Sequence, residues 1–184
     1  DGGESTFYYD LLGRMVFSQN AEQEADGNIY SYTKYDEIGR IVEVGEISLG
    51  SAINEASLLS DTGYFNTVYN GGMRSQITRT IYDRPVTTAI NNLFEGGQKY
   101  LRNRVATVMY IEHAGEDYDF ATHYSYDGHG NVKNLIQDIP ELVDMENAHT
   151  STGHRYKHLR YYYDLVSGNV NEVHYQAGEP DQFY

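Results

Sequence analysis

A short motif that recurs along the chain restricts its fold more than any other feature of the sequence. The motif is Tyr-Asp, two variable residues, Gly, then Arg or Asn and a hydrophobic residue. Complete copies begin at Tyr9, Tyr35 and Tyr126, and a further copy, at Tyr163, has one extra residue before its glycine. Another, at Tyr82, keeps only the Tyr-Asp half. The irregular spacing indicates insertions between copies rather than a strict solenoid.

Each copy predicts one β-hairpin. The residues before it alternate with period two and are rich in Tyr and Thr, which is typical of strands. The aspartate can accept hydrogen bonds from backbone N–H groups just beyond it, and the glycine supplies the positive φ that a short hairpin loop requires. Strand-like residues resume after each copy, so the chain is expected to pair back antiparallel. The predicted structural turn residues are Tyr9, Asp10, Gly13, Arg14, Tyr35, Asp36, Gly39, Arg40, Tyr82, Asp83, Tyr126, Asp127, Gly130, Asn131, Tyr163, Asp164, Gly168 and Asn169.

Charge and composition disfavour several classes of protein. Lys and Arg number 13 against 27 Asp and Glu, and the net charge of −14 repels phosphate backbones and anionic membrane surfaces. Cysteine is absent, which excludes disulfides, thiolate metal sites and cysteine nucleophiles. No apolar run approaches the roughly 20 residues that span a bilayer. We therefore expect no nucleic-acid binding, no membrane span and no cofactor.

The organisation expected along the chain is one repeat segment over residues 1–184. The first residue is not Met, no signal peptide is recognisable, and residues 182–184 resemble the start of a strand, so we expect an excerpt of a longer chain. A loop-rich insertion is expected at about 48–72, where Ser, Asn, Asp and Gly are frequent. Gly96-Gly97 argues against a continuous helix over 87–104. The segment Pro140–Asn147 predicts a short helix.

Metal sites are weakly indicated. His154 and His158 have the i, i+4 spacing of a helical metal site, but a tyrosine-rich strand pattern follows directly and no third ligand is evident. The glycine-containing turns near Asp26 and Asp127 carry oxygen ligands without matching the twelve-residue calcium loop. Chance spacing is the better interpretation of the histidines, and calcium binding stays a minor alternative.

Tyrosine, with 19 residues, is the compositional outlier. Its apolar ring and polar tip suit cladding on the faces of a broad sheet, which we favour over carbohydrate-stacking platforms. The carboxylates of Glu116, Asp117 and Asp119 resemble an exposed acidic loop more than a glycoside-hydrolase pair. No serine-hydrolase or phosphate-cradling glycine motif is present.

The repeated Y-D-x-x-G-R and Y-D-x-x-G-N cores resemble the YD repeat of the Rhs family, and the similarity extends over nearly the whole chain. The stretch from Tyr161 to Phe183 also resembles large secreted bacterial YD-repeat proteins. The resemblance implies an all-β fold in which antiparallel hairpins join edge to edge into a strip of a spiralling, hollow shell. Toxin-type members carry a self-cleaving site with an Asp-Pro turn and a toxin domain; this chain contains neither.

The function implied is that of a non-enzymatic wall segment in a secreted or cell-surface bacterial protein, enclosing or displaying a toxin or other cargo. Its expected partners are the flanking repeats of its own longer chain, and further candidates are an enclosed toxin cargo, secretion machinery and surface glycans. The alternative is an adhesive surface module that binds glycans or partner proteins. An acidic glycan-cleaving enzyme is a third hypothesis without a supporting motif.

Overall fold

The structure, a computed structural model, describes residues 3–142, 155–178 and 182–184. These residues form an antiparallel β-sheet with a few short helices, which confirms the expected all-β class. The strands are β1 (Thr6–Tyr9), β2 (Met15–Gln19), β3 (Ile29–Tyr35), β4 (Ile41–Ser48), β5 (Met73–Tyr82), β6 (Val105–His113), β7 (Phe120–Tyr126), β8 (Val132–Asp138), β9 (Tyr156–Tyr163) and β10 (Val170–Tyr175). The helices are α1 (Ala21–Ala25), α2 (Glu55–Leu58), α3 (Tyr64–Gly71) and α4 (Thr88–Asn92).

The ten strands lie in the sheet in the order in which they occur in the chain. The complete repeat motifs lie in the turns of the hairpins β1–β2, β3–β4, β7–β8 and β9–β10. Beyond β10, Phe183 forms an isolated antiparallel bridge with Tyr175.

The chain divides into two compact units. The first comprises residues 1–79 and 111–117, and the second comprises 80–110 and 118–184. The first unit holds β1–β4 and most of β5, and the second holds β7–β10 and most of β6.

The core of the first unit contains residues from the loop-rich insertion expected at about 48–72, part of which folds into α2 and α3. Asn54 caps α2 by accepting a hydrogen bond from the Ser57 N–H, and α3 turns Tyr69 into the core. The insertion is polar in composition because its two helices are too short to carry long apolar faces. The core cluster consists of Val16, Phe17, Tyr30, Tyr32, Ile47, Ile53, Leu58 and Tyr69.

Some tyrosines lie in the hydrophobic core and do not merely cover the faces of the sheet. Tyr30 and Tyr32 are each only 1% exposed, which sequence analysis did not anticipate for residues on the faces of an open sheet. The Tyr30 hydroxyl accepts a hydrogen bond from the Ile53 N–H, and the Tyr32 hydroxyl donates to Glu43. Tyrosine is tolerated at these sites because each buried hydroxyl has a partner.

In the second unit, the segment between β5 and β6 folds over the sheet. Ile90 of α4 and Phe94 form a core cluster with Ile136 of β8. The Gln98 side-chain amide donates to the backbone carbonyls of Ala106 and Tyr124, which anchors the segment on two strands. As expected, no continuous helix spans 87–104, because α4 ends at Asn92 and both Gly96 and Gly97 have positive φ.

The helix expected at Pro140–Asn147 lies mostly outside the described residues, since the structure describes this stretch only as far as residue 142. A helix that the sequence analysis missed, α1, carries a capping box in which Asn20 and Gln23 bond each other's backbone N–H.

Candidate functional site

The aspartate of each complete motif organises its turn. In the first copy, the Asp10 N–H donates to the Arg14 carbonyl, and Asp10 Oδ1 accepts from the Leu12 and Arg14 N–H groups. Asp10 Oδ2 accepts from Arg14 Nε at 2.8 Å, and Gly13 has φ +73°. The Asp36 and Asp127 turns repeat this arrangement, with Asn131 Nδ2 replacing the guanidinium in the latter.

The Asp164 turn, with its extra residue, keeps the backbone bond from the Asp164 N–H to the Asn169 carbonyl. Its carboxylate accepts from the backbone N–H groups of Val166 and Ser167 and from the Ser167 hydroxyl. The hydrogen bonds from Ser167 and Val166 lower the pKa of Asp164.

The pKa values of the other turn carboxylates are also lowered. For Asp10, Asp36 and Asp127, burial acts in the raising direction, but hydrogen bonds from the Arg or Asn side chain and the backbone N–H groups outweigh it. The ionised carboxylate is therefore the form on which these turns depend.

The fifth copy, of which the sequence shows only the first half, is closed in space by Asn103 and Arg104. The Asp83 N–H donates to the Arg104 carbonyl at 3.1 Å, and the Asn103 N–H donates to Asp83 Oδ1 at 2.6 Å. Asn103 has φ +58°, so it takes the position of the glycine, and Arg104 takes that of the motif arginine. Residues 84–102 thus replace the two variable residues. The signal in the sequence was Asn103-Arg104-Val105, because Asn tolerates positive φ better than most residues.

The residue after the motif Arg or Asn begins the second strand of each hairpin, and we call it the exit residue: Met15, Ile41, Val105, Val132 and Val170. Where the hairpin register is described, the exit residue pairs with the repeat tyrosine, and the next pair skips one residue as a β-bulge. The tyrosine, turn and bulge thus form one structural unit.

We use junction for the pairing of the second strand of one hairpin with the first strand of the next. At β2–β3, β4–β5, β6–β7 and β8–β9, the residue two after the exit residue pairs with the residue three before the next repeat tyrosine. In three of these pairs the side chains also bond each other: Arg79 Nε to Glu43, His123 Nδ1 with Thr107 Oγ1, and Arg160 Nε to Asn134. The remaining pair, Phe17 and Tyr32, is buried in the core of the first unit.

The hydroxyl groups of three repeat tyrosines form hydrogen bonds across the junctions, and we call each of these bonds a staple. The hydroxyls of Tyr35, Tyr126 and Tyr163 each donate, at 2.8–2.9 Å, to the carbonyl of the preceding exit residue. The preceding motif arginine also lies over the ring, with Arg14 4.6 Å from the centroid of Tyr35 and Arg104 5.4 Å from that of Tyr126. At these three junctions, the start of the second strand of one hairpin is therefore bonded to the hairpin that follows it.

In the first unit, the buried carboxylate of Glu43 forms hydrogen bonds and ion pairs with several polar side chains. Glu43, 4% exposed, accepts from the hydroxyls of Tyr32 and Tyr69 and pairs with Arg74 and Arg79. Burial acts to raise the pKa of Glu43, but these hydrogen bonds and charges lower it. Burial and the nearby carboxylate raise the pKa of Tyr69 to about 12. The alternating pattern of β4 gave no sign that Glu43 would be buried.

A similar cluster surrounds Asp138 in the second unit. Asp138 is fully buried and accepts from Arg155 Nε and from the Tyr118 hydroxyl, both at 2.6 Å. Burial acts to raise the pKa of Asp138, but His123, Arg155 and Tyr118 lower it to about 2. His123 Nε2 lies 3.8 Å from Asp138 Oδ2, beyond hydrogen-bond distance.

Thr107, His123 and Asp138 resemble the order of a catalytic triad, but all three side chains have no exposed surface. A substrate cannot reach a nucleophile in this position. The Thr107–His123 bond joins β6 to β7, while Asp138 at the end of β8 bonds Tyr118 and Arg155.

Two cavities lie within the units. The larger, about 790 Å³, is in the second unit between β8–β10 and Leu93–Glu95, and Arg160, Tyr162 and His174 contribute to its lining. The smaller, about 260 Å³, is in the first unit between the Asp10 turn and the insertion. Across the described ranges, no group of three or more His, Asp or Glu side chains is arranged to hold a metal ion.

The remaining sequence candidates do not converge on a site. His158 lies exposed on β9, while His154 falls outside the described residues. Glu116 and Asp117 are exposed in the loop between β6 and β7, and Asp119 is half-buried beside it. None of the helices in the described part of the chain is long and apolar enough to cross a membrane.

Fold and turns together define an all-β protein built from antiparallel hairpins. No family model and no curated protein matches the chain. Among solved structures, it is similar to a chain of the TcdB2-TccC3-TEV crystal structure, with 14% identity and a TM-score of 0.37. That alignment covers 97% of this chain but 8% of the other, and a similarity of this size carries no functional conclusion.

Proposed function

We propose that the chain is a non-enzymatic wall segment of a secreted or cell-surface bacterial YD-repeat protein of the Rhs type. Its hairpins add edge to edge to flanking repeats of a longer chain. The resulting strip encloses or displays a toxin or another cargo.

The observation that carries this proposal is the constant register at the junctions. The same offset between exit residue and repeat tyrosine occurs at β2–β3, β4–β5, β6–β7 and β8–β9. Hairpins that dock by one rule extend a sheet without a built-in limit, which suits a wall. A sheet of this kind leaves hazardous free edges unless further strands cover them.

The distribution of buried polar groups supports a structural role. The cluster around Glu43 bonds β4 to β5, and the cluster around Asp138 bonds β8 to the residues just before β7 and β9. The sequence motifs likewise recur at turns, where a catalytic residue would be singled out in one copy.

Electron microscopy with limited proteolysis tests the wall function, using the longest natural polypeptide that contains these 184 residues. We expect a hollow particle whose enclosed segment resists protease. Substituting Tyr126 and Tyr163 by Ala removes two junction staples and is expected to expose that segment, whereas Tyr100→Ala, which removes an exposed ring that forms no staple, leaves it protected. A particle without an interior would contradict the proposal.

A second candidate function, adhesion through glycans, is favoured by the larger cavity. The Tyr162 and His174 rings, 4.6 Å apart, are among its lining residues, as are Arg160 and Asn134, which bond each other. A glycan array probed with the chain tests it. Binding that is lost in Tyr162→Ala and kept in Tyr100→Ala would favour adhesion.

A further inference from the structure

The larger cavity of the second unit is lined by a row of three residues that pair across the sheet. Asn134 of β8 pairs with Arg160 of β9, and Arg160 pairs with His174 of β10. Residues directly opposite each other on antiparallel strands share one face of the sheet, and all three line the cavity. Tyr162, two residues further along β9, lies on the same face. The sheet therefore places a guanidinium among polar and aromatic side chains.

Arg160 is the lining arginine that a ligand can reach. Its side chain is 43% exposed, and Asn134 Oδ1 accepts a hydrogen bond from its Nε at 3.1 Å, which orients the guanidinium. Arg155, the other arginine in the lining, is bound at 2.6 Å by the buried carboxylate of Asp138. The counterion of Arg160 is instead Glu95, whose side chain is 84% exposed.

Glu95 takes the position that the carboxylate of a ligand would occupy. Its Oε2 accepts a hydrogen bond from Arg160 Nη2 at 3.0 Å, and it is the only carboxylate among the described residues that line the cavity. An ion pair as exposed as this one is weak, because water solvates both groups. The planar guanidinium matches the geometry of carboxylates, so an incoming carboxylate can replace Glu95.

We propose that this cavity binds acidic glycans, and that Arg160 binds the carboxylate of the sugar in place of Glu95. The inference rests on the adhesive function and names its ligand class. Leu93, Phe94 and Tyr162 give the lining apolar and aromatic surface against which the ring of a sugar can pack. The volume of about 790 Å³ is in the range of binding sites for small molecules.

A glycan fits this cavity better than a peptide rich in Asp and Glu. An acidic sugar combines one carboxylate with an apolar ring face, whereas such a peptide carries many charges that the net charge of −14 repels. Salt screens that net charge beyond roughly 8 Å, while the guanidinium acts on a single carboxylate at contact.

A glycan array tests the ligand class, using the longest natural polypeptide that contains these 184 residues. The array displays oligosaccharides of uronic acids and sialic acids, each beside its methyl ester, which keeps the rings and removes the charge. We expect the acids to bind at least about tenfold more tightly than the esters, the worth of a charge-assisted hydrogen bond. Arg160→Gln is expected to abolish this difference, whereas Arg102→Gln, on an exposed residue outside the lining, should keep it.

Glu95→Gln gives a test in which binding improves, so that misfolding cannot imitate the result. Without its competing carboxylate, the cavity is expected to bind the acidic glycans about two- to fivefold more tightly in isothermal titration calorimetry. Glu116→Gln removes the same charge from an exposed site outside the lining and should leave the affinity unchanged. Equal gains in the two variants would show that only the net charge matters and would overturn the proposal.

The remaining outcomes separate this inference from the adhesive function. Equal binding of acids and methyl esters would overturn the carboxylate site while adhesion stands. An array on which no glycan binds would overturn both. Tighter binding of an aspartate-rich peptide than of any acidic glycan would overturn the ligand class.

Discussion

Two residues of the motif have the same task in each copy. The aspartate must be ionised to bond several N–H groups of its turn, and the glycine position must take a positive φ. The residues between them are free to vary, and they are exposed in several copies: Leu12, Ile38 and Val166 are 76%, 71% and 97% exposed.

Gly39→Ala tests the backbone requirement. Gly39 has φ +85° with open space around it, so a Cβ causes backbone strain without a steric clash. We expect the free energy of unfolding to fall by roughly 1 kcal/mol. Gly50→Ala is the matched control, since Gly50 has open space without positive φ and should not be destabilised. Chemical denaturation measures both, and equal effects would contradict the role of φ.

Glu43→Gln tests the buried carboxylate of the first unit. Removing its charge leaves Arg74 and Arg79 without their counterion, and we expect a loss of roughly 2–4 kcal/mol in unfolding free energy. The same change at Glu95, which pairs with Arg160 but is 84% exposed, should cost less than about 0.5 kcal/mol. Similar losses in the two variants would show that burial is not the source of the effect.

Hairpins, at the scale of elements, are joined by two kinds of contact. The strand ladder gives general affinity between edges, while the tyrosine staple and the paired side chains select one register. A slip by one residue would turn every side chain to the opposite face of the sheet. The staple therefore protects the register where the ladder alone would tolerate slippage.

Tyr35→Phe tests this contribution within the fold. Loss of the bond to the Met15 carbonyl is expected to lower the unfolding free energy by roughly 0.5–1 kcal/mol. Tyr9→Phe removes a hydroxyl that has no hydrogen-bond partner among the described residues and should leave stability unchanged. Thermal melts of the two variants provide the comparison. An unchanged melting temperature in Tyr35→Phe would show that the staple does not contribute to stability.

The whole molecule carries many carboxylates whose pKa values are lowered by folding. The set consists of Asp10, Asp36, Glu43, Asp127, Asp138 and Asp164. In the opposite direction, burial and neighbouring carboxylates raise the pKa values of Tyr69 and Tyr118 to about 12. Both sets of shifts make the folded state prefer the intermediate pH range.

Stability should accordingly fall at both extremes of pH. A lowered carboxylate pKa adds stability above about pH 4, and this is lost as the pH falls toward the value of about 2 for Asp138. A raised tyrosine pKa adds stability that is lost as the pH rises from about 10 toward 12. Denaturation across pH, with tyrosinate absorbance at the alkaline end, measures both; stability that is flat between pH 4 and 2 would contradict the acid half.

Much of the hairpin architecture was predictable because its chemistry is local. Within one copy, Asp10, Gly13 and Arg14 contact each other across four residues, so the motif encodes its own turn. The closure of the fifth copy was not predictable because residues 84–102 separate Asp83 from Asn103, whose contact forms only in three dimensions.

The sequence by itself determined the turns, the antiparallel hairpins and the absence of thiol chemistry, since each depends on residue type and short spacing. Only the tertiary structure decided which charges are buried, as at Glu43 and Asp138, and that the insertions fold over the sheet. Those outcomes depend on partners far apart in the chain, whose meeting is governed by strand register and packing. No local pattern distinguishes a buried, paired acid in a strand from one facing water.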